Sequence, residues 1–211
     1  MKILSISDKV VPIIYSVNIQ ERFGDVDLVL ACGDLPYSYQ EFIISSLNRP
    51  LCFVHGNHDP ALEHGPGKPK AYPHGGINVH RKTVCVEGVL LAGVEGSILY
   101  SKRSLYQYSQ SHMWRHVLSL VPRLLWNKCK YGQYLDIFIS HAPSWRIHEG
   151  QDYAHQGIKA FRWLLETFQP RYHFHGHVHH YRPDAVVETQ LGRTTVINSY
   201  PYQVIEVSSW E

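Results

Sequence analysis

The sequence predicts an α/β fold, and three observations carry that prediction. Short continuous apolar runs such as Asp27–Ala31 (DLVLA) and Leu51–His55 (LCFVH) have the length and composition of strands covered on both faces. Stretches of helical periodicity separate them: Met113, Val117, Leu120, Val121 and Leu124, then Ile158, Phe161, Leu164, Leu165 and Phe168. The apolar runs end on polar corners rich in Gly, Asp, Asn and His, and loops after strand C-termini are where α/β folds gather side chains for chemistry.

In chain order, Lys2–Ile6 reads as the first strand and delivers Ser7-Asp8. The Asp27–Ala31 strand delivers Gly33-Asp34. A short helix over Tyr39–Leu47 must stop before Pro50. Leu51–His55 delivers Gly56-Asn57-His58-Asp59. Residues 60–76, with several Gly, Pro and His, read as a loop. Val79–Val94 reads as two strands around a turn at Glu87-Gly88. The helix through Met113 and Leu124 should be kinked or split at Pro122. Leu135–Ser140 delivers His141. Pro170 ends the next helix, and Arg171–Phe174 delivers Gly176-His177-Val178-His179. Strands near Asp184–Thr189, Thr194–Asn198 and Gln203–Val207 follow, with a turn at Gly192.

Composition narrows the function. The chain has 211 residues, enough for one domain spanning 1–211 with a well-buried core. No apolar run approaches a transmembrane span, and the first residues lack the pattern of a signal peptide, so a cytoplasmic protein is expected. Cys32, Cys52, Cys85 and Cys129 show no metal-binding spacing and read as free thiols. A net charge of +2 is too small to imply nucleic acid. The absence of a GxxxxGK[ST] loop argues against an ATPase. Fifteen histidines, clustered between His173 and His180 and present at His141 and His155, point to metal or proton chemistry.

The corner residues form a coherent donor set of carboxylate, amide oxygen and imidazole, which divalent metals accept. Two cations ~3.5–4 Å apart clamp a phosphate and acidify a bridging water. Asp34 offers the bridging carboxylate, with Asn57, His141 and His177 completing one shell. His177 and His179, two apart, should lie on the same side of an extended segment and reach adjacent metals. His58, just past a strand end, is free to face the substrate, with Asp59 placed to orient its ring. Taken singly, a strand-end Asp is usually a turn residue and a His usually just hydrogen-bonded. The ordered set is what points to a metal site.

The pattern Asp8, Gly33-Asp34, Gly56-Asn57-His58-Asp59, His141, Gly176-His177-Val178-His179 resembles the calcineurin-like metallophosphoesterase family. The resemblance implies a four-layer αββα sandwich of two mixed β-sheets flanked by helices. It implies metal ligands Asp8, Asp34 and His179 for one ion and Asp34, Asn57, His141 and His177 for the other, the ions being of Mn, Fe, Zn or Ni type. His58 would be the catalytic imidazole. The implied reaction is hydrolysis of a phosphomonoester or phosphodiester by attack of a metal-activated hydroxide on phosphorus. One departure stands out: the family's first motif is D-x-H, and here Val10 occupies the histidine position. A small phosphoester is the expected partner. Arg146, Tyr153, His155, His180, Tyr181 and Arg182 lie close enough in sequence to the corners to line its pocket. The alternatives are a non-catalytic protein-interaction module on the same fold, and a nuclease.

Overall fold

The structure is a computed structural model, and it describes residues 1–65, 68–101, 105–180 and 184–207. The elements run β1 (Lys2–Ile6), α1 (Ile19–Phe23), β2 (Leu28–Ala31), α2 (Tyr37–Leu47), β3 (Leu51–Phe53), β4 (Ile77–Asn78), β5 (Thr83–Val86) and β6 (Val89–Val94). They continue with β7 (Ser97–Ile98), β8 (Gln107–Tyr108), α3 (Gln110–Tyr131), β9 (Ile137–Ser140), α4 (Lys159–Phe168), β10 (Tyr172–His175), β11 (Glu188–Leu191), β12 (Thr194–Asn198) and β13 (Tyr202–Glu206).

Two mixed sheets result, ordered β13-β1-β2-β3-β4 and β11-β12-β10-β9-β6-β5, with a separate two-stranded ribbon of β7 and β8. The central strands β1, β2 and β3 are mutually parallel, as are β6, β9, β10 and β12, while β13, β11 and β5 add antiparallel edges.

The period-2 alternation of strand side chains explains the layering. Along β2, Leu28 and Leu30 face the second sheet, among Leu91, Ile137, Ile139 and Phe174. Val29 and Ala31 face the opposite way, against Ile19 and Phe23 of α1 and Ile43 and Leu47 of α2. On the far side, Phe138 and Val196 meet Val117, Leu120 and Leu124 of α3 and Phe161 and Leu164 of α4. Three apolar interfaces therefore separate four layers, helix–sheet–sheet–helix, as expected. Strands packed on both faces need apolar residues at successive positions, hence the continuous runs.

Some boundaries differ from expectation. α3 runs unbroken from Gln110 to Tyr131 instead of splitting at Pro122. Pro122 lies on its exposed face, where water can satisfy the carbonyl that the proline leaves without a partner. β11 begins at Glu188 rather than near Asp184, and β13 is displaced by one residue. The short elements α1, β4, β7 and β8 carry no period long enough to be legible. The Glu87-Gly88 turn is as expected: both residues have positive φ, 50° and 80°, the twist that closes a two-residue hairpin.

Candidate metal centre

The C-terminal ends of β1, β2 and β3 in one sheet and of β9 and β10 in the other meet at a common edge. There, Asp8, Asp34 and His177 all adopt left-handed backbone, with φ of 64°, 55° and 68°. Such non-glycine conformations cost ~1–3 kcal/mol each and persist only where surrounding structure over-determines them. Here they are held by bonds between corners. Asp8 N donates to Gly33 O at 3.1 Å, His177 N to Asp8 Oδ2 at 2.9 Å, and His58 N to Asp34 Oδ1 at 2.7 Å.

The motif glycines follow from the same crowding. A Cβ on Gly56 would lie 2.0 Å from Asp34 Oδ1, and one on Gly176 would lie 1.8 Å from Ser7 Oγ. Only glycine lets these corners approach.

The donor atoms converge. Ligating atoms of Asp8, Asp34 and His141 all lie within 4.8 Å of one another. His141 Nε2 is 3.3 Å from Asp34 Oδ2 and 3.0 Å from Asn57 Oδ1, and His179 Nε2 is 3.3 Å from Asp8 Oδ1. His141 Nδ1 lies 2.8 Å from Cys32 O. A carbonyl only accepts, so Nδ1 carries hydrogen and Nε2 is left facing two oxygen acceptors. Three electron-pair donors pointed at one another require a cation or a proton between them. In the protein alone it is a proton. Burial by itself would lower the His141 pKa, but the Asp34 carboxylate overrides it and raises it to about 10. Asp34, despite burial, is held down at about 2 by the same partnership. Against its own burial, Asp8 is held below its ordinary value by the His179 hydrogen bond and the His141 charge. The donor set thus fits a divalent cation, which would replace that proton.

His177 joins from the side. Its ring centroid is 4.8 Å from that of His141, and its Nε2 donates to Ala154 O at 2.9 Å, leaving Nδ1 as the lone-pair nitrogen. Ligating histidines commonly anchor their second nitrogen on a carbonyl in this way. Burial lowers its pKa to about 4, so it is neutral and able to ligate. His177 and His179 reach the cavity through the left-handed turn at His177, not through the strand spacing expected. His179 stacks on Tyr200, centroids 4.4 Å apart.

His58 is exposed and faces a cavity of about 410 Å³ also lined by Asp8, Asp34, His177 and His179. Asp59 does not orient it. Its carboxylate accepts instead from Gly56 N (2.8 Å) and Leu35 N (3.1 Å), pinning the Gly56–Asp59 corner to the Asp34 corner. Burial and then the Asp34 charge push the Asp59 pKa up to about 7. Val10 packs against the core beneath α1 and α2 and supplies nothing to the cavity. Of the expected pocket residues, His155 lines it. Arg146 lies over Trp145, Tyr153 is exposed, and His180 hydrogen-bonds Asn198. Tyr181 and Arg182 lie outside the described residues. Sequence reasoning missed Tyr100, whose hydroxyl lies 3.0 Å from Asn57 Nδ2 and 3.4 Å from His58 Nε2. No local motif marks it.

No helix among the described residues is long and apolar enough to cross a membrane. The sequence model of the calcineurin-like phosphoesterase family matches residues 1–181. No curated protein matches the chain. Among solved structures, TT1561 of Thermus thermophilus superposes with a TM-score of 0.60 at 16% identity, covering 94% of this chain and 88% of that one. GAP50, the anchor in the inner membrane complex of Plasmodium, superposes with a TM-score of 0.54 at 14% identity, covering 94% and 70%. At such identities the likeness is one of fold.

Proposed function

The chain belongs to the calcineurin-like phosphoesterase family, and from that premise we propose that it is a metal-dependent hydrolase of a small phosphomonoester or phosphodiester. The observation that carries this reading is the convergence of Asp8, Asp34, His141 and Asn57 donors around a site where a divalent cation could replace the shared proton. Asp34, Asn57, His141 and His177 would hold one divalent ion, and Asp8, shared Asp34 and His179 the other. When bound, such ions polarise the phosphoryl oxygens and lower the pKa of water at the site.

The chain's own groups supply the rest. Asp8, Asp34 and the histidines bind and orient. The cavity of about 410 Å³ is in the size range of small-ligand pockets, which favours a small ester over a polymer. The net charge of +2 likewise does not favour a nuclease. In the hydrolysis, the oxygen of water bonds to phosphorus, the bond from phosphorus to the leaving oxygen breaks, and that oxygen takes up a proton. His58, exposed at the cavity and not consumed as a ligand, is the residue to deliver that proton or to stabilise the charge developing on the phosphoryl oxygens.

The test is hydrolysis of a chromogenic aryl phosphate and an aryl phosphodiester with Mn added. His58→Ala should lower kcat by ~10²–10⁴-fold, the usual contribution of a positioned acid. Equal inertness of wild type and His58→Ala across esters and metals would reject the hydrolase and favour the protein-interaction module.

A further inference from the structure

We propose that Tyr100 is a positioning residue that fixes the Asn57 amide and the His58 imidazole together through one hydroxyl. Its consequence for turnover rests on the phosphoesterase reading above; its consequence for the two side chains does not.

The phenol oxygen is 3.0 Å from Asn57 Nδ2, an amide nitrogen that only donates. That bond turns the amide so that Oδ1 points to His141 Nε2, 3.0 Å away, on the side where the carboxylates lie. With its oxygen accepting from Asn57, the hydroxyl has its own hydrogen to donate. His58 Nε2 stands 3.4 Å away, and among the described residues no other side chain hydrogen-bonds the His58 ring. In the proposed arrangement the phenol hydrogen turns to His58 Nε2, and a neutral ring held this way carries its own hydrogen on Nδ1. Catalytic hydrogen bonds are often long before substrate binds, and this one has room to tighten.

The hydroxyl is held in place by a short, well-anchored ribbon. Leu99 N donates to Tyr108 O at 3.0 Å. Tyr100 N and Ser101 N both donate to the side-chain carbonyl of Gln107, at 3.2 and 2.8 Å, and Gln107 is only 8% exposed. The phenol ring stands between the cavity of about 410 Å³ and a second one of about 360 Å³ beyond His58, and it lines both. Asp59, which the sequence places next to His58, is bonded to two backbone amides, so the orienting contact comes from a residue forty-two positions away.

The experiment is Tyr100→Phe, which removes the oxygen and keeps the ring and its packing. In chelator-treated protein, imidazole nitrogen NMR of wild type should report His58 in the Nδ1–H tautomer, and Tyr100→Phe should shift it toward Nε2–H. Affinity for Mn, measured by chelator competition, should fall ~10-fold, the effect usual when a ligand loses its supporting hydrogen bond. On an aryl phosphate, kcat should fall while KM stays within about twofold, because the residue acts through His58 rather than by holding substrate. A wild-type His58 already in the Nε2–H form, or a variant with unchanged tautomer and unchanged Mn affinity, overturns the proposal. If wild type hydrolyses no ester, the function fails but the tautomer and affinity measurements still decide the role of Tyr100.

Discussion

On the Asp34 side of the centre, His141 is fully buried, its Nδ1 is fixed on Cys32 O, and Asn57 and His177 are each tied by a second hydrogen bond to Tyr100 or Ala154. On the Asp8 side, the His179 side chain is 40% exposed and stacks on Tyr200, and Val10 packs into the core where the family pattern has a histidine. Around shared Asp34, the same edge of the fold thus carries one half whose other proposed donors, Asn57, His141 and His177, are each fixed by hydrogen bonds, and one half whose other proposed donors are Asp8, whose side chain is buried, and His179, which is open to solvent. Donors already held in place lose little entropy on binding a metal, so the two halves should differ in affinity although they share Asp34. Elemental analysis after limited dialysis should therefore find one tightly held equivalent per chain and a second that is lost first.

The substitution that removes the comparison altogether has the largest expected effect. Asp34→Asn takes the shared charge from both halves, so bound metal should fall to near zero and turnover by ~10³-fold or more. Isothermal titration with Mn and assay at saturating metal check both. Next come the separate halves. His141→Ala should abolish the tight equivalent, weakening it by at least ~100-fold, since losing a mere supporting contact costs ~10–100-fold. His179→Ala should leave that equivalent in place and remove the weak one. Equal losses in the two variants would show that the halves do not differ as their burial suggests.

What the sequence made legible follows the same divide between local and distant. Gly33-Asp34, Gly56-Asn57-His58-Asp59 and Gly176-His177 are corners of a few residues, and their glycines answer to collisions with atoms of the neighbouring corners, so a motif records the geometry. Val10 as the missing donor was equally readable, because the motif sets its place. Tyr100 was not: it arrives on a ribbon of two-residue strands, too short to show a period, and its partners lie forty-two and forty-three positions away. Asp59 misled for the opposite reason. Adjacency to His58 suggested an orienting bond, but the chain turns there, and a buried carboxylate in reach of two backbone N–H groups satisfies those first. Pro122 does not split α3, because sequence shows the missing donor but not that the proline would lie on the exposed face.

Acidity sharpens the contrast between the halves. In metal-free protein the His141 pKa is raised from its ordinary 6.5 to about 10. Its contribution to stability is full below 6.5 and is lost as pH rises through about 10. Asp34 is lowered from 3.8 to about 2, so its contribution is present above 3.8 and lost as pH falls through about 2. Urea melts of chelator-treated protein should accordingly be most stable between those limits. A metal that takes the His141 lone pair must displace its proton, so affinity of the tight equivalent should rise ~tenfold per pH unit through neutrality. The weak equivalent should respond less, because His179, raised by its bond to Asp8, is far more exposed. A slope near zero for the tight equivalent would mean that His141 Nε2 is not a ligand.

Val10→His is the smallest and most pointed change, because it asks whether the weak half lacks only a donor. Val10 is half-buried against the cluster of Ile14, Ile19 and Phe23, so the substitution removes an apolar contact worth ~1 kcal/mol and should lower Tm by a few degrees. If the new imidazole turns out of the core toward Asp8, the second equivalent should tighten by ~5–10-fold, with the first unchanged. A titration in which neither equivalent moves, in a protein that still melts cooperatively, would mean that the backbone after Asp8 directs position 10 into the helix-side core whatever residue stands there.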